Sequence, residues 1–166
     1  VISLYDELIK SEQLLTSVIN YEEITEPNIE FINEESIEKV ETDKLKVGII
    51  GAGNYASSTM LPILKSLNKQ FVFSGIVSMK GLTAGTLAKE FHIPNVFEDP
   101  RNLIESEHID VVFLLSSHDN HAEYAKYAIE NNKPVYVEKP LAISLEGLND
   151  VEESIFNAED PKLYLG

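Results

Sequence analysis

Gly51-Ala52-Gly53-Asn54-Tyr55-Ala56 lies between two segments of different period. Before it runs Lys46-Val47-Gly48-Ile49-Ile50, a short apolar stretch that reads as a buried strand. After it runs Ser57 to Leu67, which reads as a helix with Met60, Leu61, Leu64 and Leu67 on one face and Pro62 near its start. A strand that passes into a helix through two closely spaced glycines leaves few folds open. The first glycine permits the tight turn. The second lets the backbone approach a pyrophosphate, because any Cβ would collide with it. Ala56 lets the helix pack closely on the strand. The free N–H groups and positive dipole end of the helix then face the phosphates. Gly51, Gly53, Asn54, Tyr55 and Ala56 are therefore candidate dinucleotide-binding residues.

The rest of the chain repeats this rhythm. Strands are predicted over Phe71 to Val77, Asn95 to Phe97, Asp110 to Leu115 and Pro134 to Val137, with a sixth from Lys162. Helices are predicted over Thr83 to Phe91, Asp99 to Ser106, Asn120 to Glu130 and Ser144 to Phe156. Asp99 with Pro100, and Ser144, are N-terminal caps. Val111-Val112-Phe113-Leu114-Leu115 shows no polar alternation, so that strand should be central and covered on both faces. Strict strand–helix alternation predicts an α/β fold: a doubly wound parallel sheet of the Rossmann type over residues 45–166. Residues 1–44 do not follow this rhythm. Leu4 to Ile19 reads as one helix, and the stretch up to Lys44 as an acidic extension or linker.

Charge places the same boundary. The net charge is −15, and residues 1–43 hold twelve acids and two lysines, net −10. Nucleic acid is an unexpected partner, since phosphate contacts need clustered Lys and Arg. The absence of cysteine excludes disulfides and thiolate chemistry. The apolar runs are too short for a membrane span. The N-terminus lacks the basic-then-apolar pattern of a signal peptide, which makes the cytoplasm the default location.

The end of the second strand bears on cofactor choice. An acid there would hold the adenosine ribose. Ser78 stands in that place, followed by Lys80. A neutral serine removes the repulsion against a 2′-phosphate, so NAD and NADP both remain open, with a tilt toward NADP.

Val137-Glu138-Lys139-Pro140 closes the fifth strand. A lysine at the carboxyl end of a buried strand lies beside the cofactor crevice, where it can stabilise charge on a substrate oxygen. Lys139 is the candidate catalytic residue. Ser116-Ser117-His118-Asp119-Asn120-His121 follows the fourth strand. His121 reads either as an anchor for that loop or as a cofactor contact. No carboxylate cluster accompanies His118 and His121, so no metal site is expected.

The order of glycine loop, Ile109-Asp110-Val111-Val112, His121 and Glu138-Lys139-Pro140 resembles the N-terminal domain of the glucose–fructose oxidoreductase and inositol dehydrogenase (Gfo/Idh/MocA) family. The resemblance covers Leu45 to Gly166. It implies that Lys139, with Glu138 beside it, lies near the nicotinamide and the substrate, and that Ser116, Ser117, His118 and His121 lie in a loop lining the cofactor pocket. Ser117 replaces the proline common there, so a differently shaped loop is expected. The resemblance further implies hydride transfer at a sugar or cyclitol carbon by a full-length homo-oligomer whose substrate domain lies outside this chain. Tyr5 to Ile9 and Leu15 to Tyr21 are similar to the last helix and strand of a zinc-type dehydrogenase fused ahead of such a domain. A non-catalytic nucleotide sensor and a different Rossmann enzyme remain as alternatives.

Overall fold

A computed structural model describes residues 37–78 and 81–166. The helix expected over 4–19, the similarity to a preceding dehydrogenase and Lys80 lie outside the described residues. Six strands form one parallel sheet: β1 (Leu45–Ile50), β2 (Phe71–Val77), β3 (Asn95–Phe97), β4 (Val111–Leu114), β5 (Val135–Val137) and β6 (Leu163–Leu165). Their spatial order is β3-β2-β1-β4-β5-β6, the doubly wound order. Five helices connect them: α1 (Leu61–Ser66), α2 (Gly81–Phe91), α3 (Pro100–Glu105), α4 (His121–Glu130) and α5 (Leu145–Asn157). None is long and apolar enough to cross a membrane.

The continuous apolar run of β4 serves two cores. Val111, Phe113 and Leu115 join Val47, Ile49, Leu61, Leu64, Ala84 and Leu87 beneath α1 and α2. Val112 and Leu114 join Leu103, Ile104, Ala125, Ile129 and Val151 beneath α3, α4 and α5. Successive side chains of a strand point to opposite faces, so only an unbroken apolar segment can fill both layers.

Pro62 is the second residue of α1, but helical turns precede it. The helix begins at Asn54, runs as a π turn over Ala56–Met60, and only then continues as α1. The Leu61 amide donates to the Ala56 carbonyl, five residues back. Proline lacks an amide proton, and its ring clashes with the carbonyl four residues earlier. The wider π turn immediately before Pro62 relieves that conflict. The hydroxyls of Ser57 and Ser58 both donate to the Asn54 carbonyl in the same turn.

The register between β1 and β2 shifts after Val47, which leaves Ser74 as an extra residue. A bulge exposes backbone groups that need partners. Asn95, fully buried, donates from Nδ2 to the Ser74 carbonyl at 2.7 Å. The Ser74 hydroxyl donates to the His108 carbonyl at 2.8 Å. Asn95 also donates to the Glu38 carbonyl (3.0 Å) and accepts from the Glu38 amide (2.8 Å). Ile37 packs on the second core. The last part of the acidic extension thus binds the outer side of β3.

Candidate active site

Parallel strands deliver their carboxyl ends to one edge of the sheet, and the strand order reverses between β1 and β4. A crevice forms at such a switch point. Here it is lined by Gly51, Ala52, Gly53, Asn54 and Tyr55 after β1, Ser78 after β2, and Leu115, Ser116 and Ser117 after β4. The sequence places these residues in three separate segments; the sheet gathers them in one cleft.

Gly51 has φ of +107°, and a Cβ on it would lie 2.5 Å from the Ser116 amide nitrogen and 2.6 Å from the Leu115 carbonyl carbon. It is the close-approach glycine. Gly53 differs: a Cβ there would meet nothing within 4 Å. Its missing side chain leaves open space in the cleft, where a ligand's phosphates can approach the backbone. Ala56 is fully buried and packs into the first core, so it supports the helix from behind.

The Ser116 hydroxyl is buried and has no hydrogen-bond partner. A buried hydroxyl without a partner is costly, and this one belongs to a cleft-lining residue. It fits a site where a polar ligand completes the hydrogen bonding. Ser117 has φ of −67° and ψ of 147°, values that proline itself adopts. A proline could therefore take the backbone conformation that Ser117 has here. Hydrogen bonding to Ser117, foremost, and to its own backbone lowers the Asp119 carboxyl below its ordinary range. The Asn120 amide group donates to the Ser117 hydroxyl at 3.3 Å. His118 lines a separate groove with Arg101, Glu123 and Asp150, away from the glycine loop.

Glu138 and Lys139 follow β5. Glu138 is half-buried and Lys139 exposed. Two phenols meet the Glu138 carboxylate: Tyr55 from the glycine loop and Tyr136 from β5. Hydrogen bonding to Glu138, then burial, pushes the Tyr55 phenol up to about 12. Burial, then the Glu138 charge, raises Tyr136, whose hydroxyl donates weakly to Glu138 Oε2 at 3.4 Å. Lys139 makes no hydrogen bond or ion pair among the described residues, which leaves its ammonium available. The peptide bond from Lys139 to Pro140 is cis. His121 is fully buried behind both loops, with Nδ1 2.8 Å from the Pro140 carbonyl oxygen and Nε2 3.0 Å from that of Ser116.

Sequence reasoning missed Tyr136 and Thr83. Tyr136 is the one polar-tipped residue in Val135-Tyr136-Val137, which was a usable signal. Thr83 lies within hydrogen-bond distance of the Ser78 hydroxyl, 3.2 Å away, a pairing that no local pattern announces.

The profile of the oxidoreductase family with an NAD-binding Rossmann fold, Gfo/Idh/MocA, matches residues 45–159. Inositol 2-dehydrogenase of Pseudomonas savastanoi pv. phaseolicola is 31% identical over 114 residues, which cover 66% of this chain and 33% of that protein. An oxidoreductase from Thermotoga maritima superposes with a TM-score of 0.68 at 29% identity, over 74% of this chain and 37% of the other. Myo-inositol dehydrogenase from Lactobacillus casei, solved with NAD(H) and myo-inositol, shares the fold with a TM-score of 0.70 at 24% identity, over 74% of this chain and 36% of the other. The chain spans about a third of the length of the curated relatives it matches. With the strand order, the glycine cleft and the profile in agreement, this chain belongs to the Gfo/Idh/MocA oxidoreductase family and carries its NAD-binding Rossmann fold.

Proposed function

We propose that this chain is the cofactor-binding part of an NAD(P)-dependent oxidoreductase that acts on a cyclitol or sugar carbon, with Lys139 at the reacting oxygen. The observation that carries the reading is the cleft at the switch point, where the open space at Gly53 and the unpartnered Ser116 hydroxyl meet. Gly51 and Gly53 would hold the pyrophosphate against the helix N-terminus. Ser116 would hydrogen-bond the cofactor from the β4 side. When bound, the nicotinamide accepts or gives a hydride. Lys139 would donate a hydrogen bond to the substrate oxygen and stabilise the negative charge that develops there. Relatives named inositol 2-dehydrogenase support the substrate class. The acidic balance of the chain, net −15, supports a small molecule over nucleic acid as partner.

The test is kinetic. In the full-length protein, with myo-inositol as substrate, Lys139→Ala should lower kcat by about 10²-fold or more, the scale of losing a group that acts on the reacting oxygen. Cofactor affinity, read by calorimetric titration of NAD and NADP, should change little. Normal kcat in that variant removes Lys139 from the chemistry.

A further inference from the structure

His121 makes two contacts to two loops, and both involve oxygens that only accept. The Pro140 carbonyl sits at Nδ1 and the Ser116 carbonyl at Nε2. The ring is fully buried and stands on the first residue of α4, a rigid element. The two carbonyls belong to different walls of the site. Ser116 lines the cofactor cleft. Pro140 directly follows Lys139.

The Lys139 loop has little else to hold it. The Glu138 amide donates to the Leu114 carbonyl as the last rung of the sheet, at 3.1 Å. The next anchor is Ser144, whose hydroxyl caps α5 by accepting from the Gly147 amide at 3.1 Å. Between them, over residues 139–143, the contact with His121 is the one hydrogen bond among the described residues. A lysine with a long flexible stem works at a fixed point only if its backbone is fixed.

We propose that His121 is the positioning residue for Lys139: its buried ring is seated between the Pro140 and Ser116 carbonyls, donates its N–H to one of them, and so sets the lysine's backbone against the cofactor wall. The proposal rests on the reading that Lys139 acts at the substrate oxygen. A histidine that merely fills the core would stabilise the fold without affecting that lysine in particular, and the two roles separate by experiment.

His121→Phe keeps an aromatic ring and removes both ring nitrogens. Hydrogen–deuterium exchange on this chain should show the Glu138 amide, which bonds the Leu114 carbonyl at the mouth of this loop, exchanging about tenfold faster or more, with the amides of β1 and β4 within about twofold of the parent. In the full-length protein, kcat with myo-inositol should fall by about tenfold or more in His121→Phe, yet by less than about twofold when His121→Phe is added to Lys139→Ala, because a residue acting through Lys139 has nothing left to lose. Unchanged exchange at the Glu138 amide, or equal kcat losses in both backgrounds, overturns the proposal. Normal kcat in Lys139→Ala alone removes the catalytic reading instead, and the exchange result still decides the tether. If His121→Phe does not fold, His121→Gln, which can serve one carbonyl, replaces it. Faster exchange of the Glu138 amide then supports the tether, and parental exchange there overturns it.

Discussion

Gly51 and Gly53 are two residues apart and should fail in opposite ways. At Gly51 the backbone has φ of +107°, and an added Cβ would press on Leu115 and Ser116 backbone atoms at 2.5–2.6 Å. Backbone cannot swing aside as a flexible side chain can. The unfavourable φ costs roughly 1–3 kcal/mol, and the overlap adds roughly 1–3 kcal/mol. Gly51→Ala should therefore lose about 4 kcal/mol, which for a domain of this size lowers Tm by about 12–20 °C. At Gly53 nothing lies within 4 Å of the added Cβ. Gly53→Val should change stability by less than about 1 kcal/mol. Its side chain instead fills the space where the pyrophosphate would approach, so NAD and NADP affinity should fall by about 10²-fold or more, about 2.7 kcal/mol of binding energy. Thermal unfolding of both variants, with calorimetric titration of NAD and NADP into Gly53→Val and the parent, separates the two effects. Equal cofactor affinity in Gly53→Val and the parent would refute the pyrophosphate assignment. A Gly51→Ala protein as stable as the parent would refute the geometry at the end of β1.

Ser78→Asp should shift binding toward NAD, because a carboxylate repels a 2′-phosphate; an unchanged NAD to NADP affinity ratio counts against Ser78 as the selecting position. The Tyr55 phenol has its folded pKa raised from 10.0 to about 12, so the stability it contributes is complete below pH 10 and is lost as pH rises toward 12. Tyrosinate absorbance should show this late titration, and Glu138→Gln should return it toward pH 10; no difference between parent and variant argues against the pairing. Asn95→Ala removes three hydrogen bonds around the β2 bulge and leaves the Ser74 carbonyl buried. Urea unfolding should report a loss of about 2–4 kcal/mol, and a loss below about 0.5 kcal/mol would show that the bulge does not depend on Asn95.

What was legible in the sequence was local. Val111 to Leu115 announces a strand covered on both faces because periodicity within five residues suffices. Gly51 and Gly53 announce the cleft because glycine answers a backbone demand at its own position. Ser78 and Lys139 are read by counting to strand ends, which a parallel sheet brings to one edge, and Ser116 from the resemblance to a known family. The contacts that complete the site were not legible for the opposite reason. Tyr55, after β1, meets Glu138, after β5, across the end of β4. Asn95 bonds Glu38 across 57 residues. His121 reads as an anchor for the loop after β4, as its contact with the Ser116 carbonyl shows, but its second contact, to Pro140, needs β4 and β5 side by side. The π turn ahead of Pro62 is not legible because such a turn leaves no mark in hydrophobic spacing.

The π turn has a consequence for how this segment can vary. One residue of helix corresponds to about 100° of rotation. The stretch from Gly53 to Leu61 therefore works as a phase setting between two tasks: its front half aims amide groups into the cleft, and its rear half aims Leu61 and Leu64 at the sheet. Removing one residue there would turn these halves against each other unless the turn straightened into regular α-helix, and Pro62 opposes that straightening. Insertions or deletions in this stretch should thus be tolerated only together with a change at Pro62, which links two positions that share no side-chain chemistry.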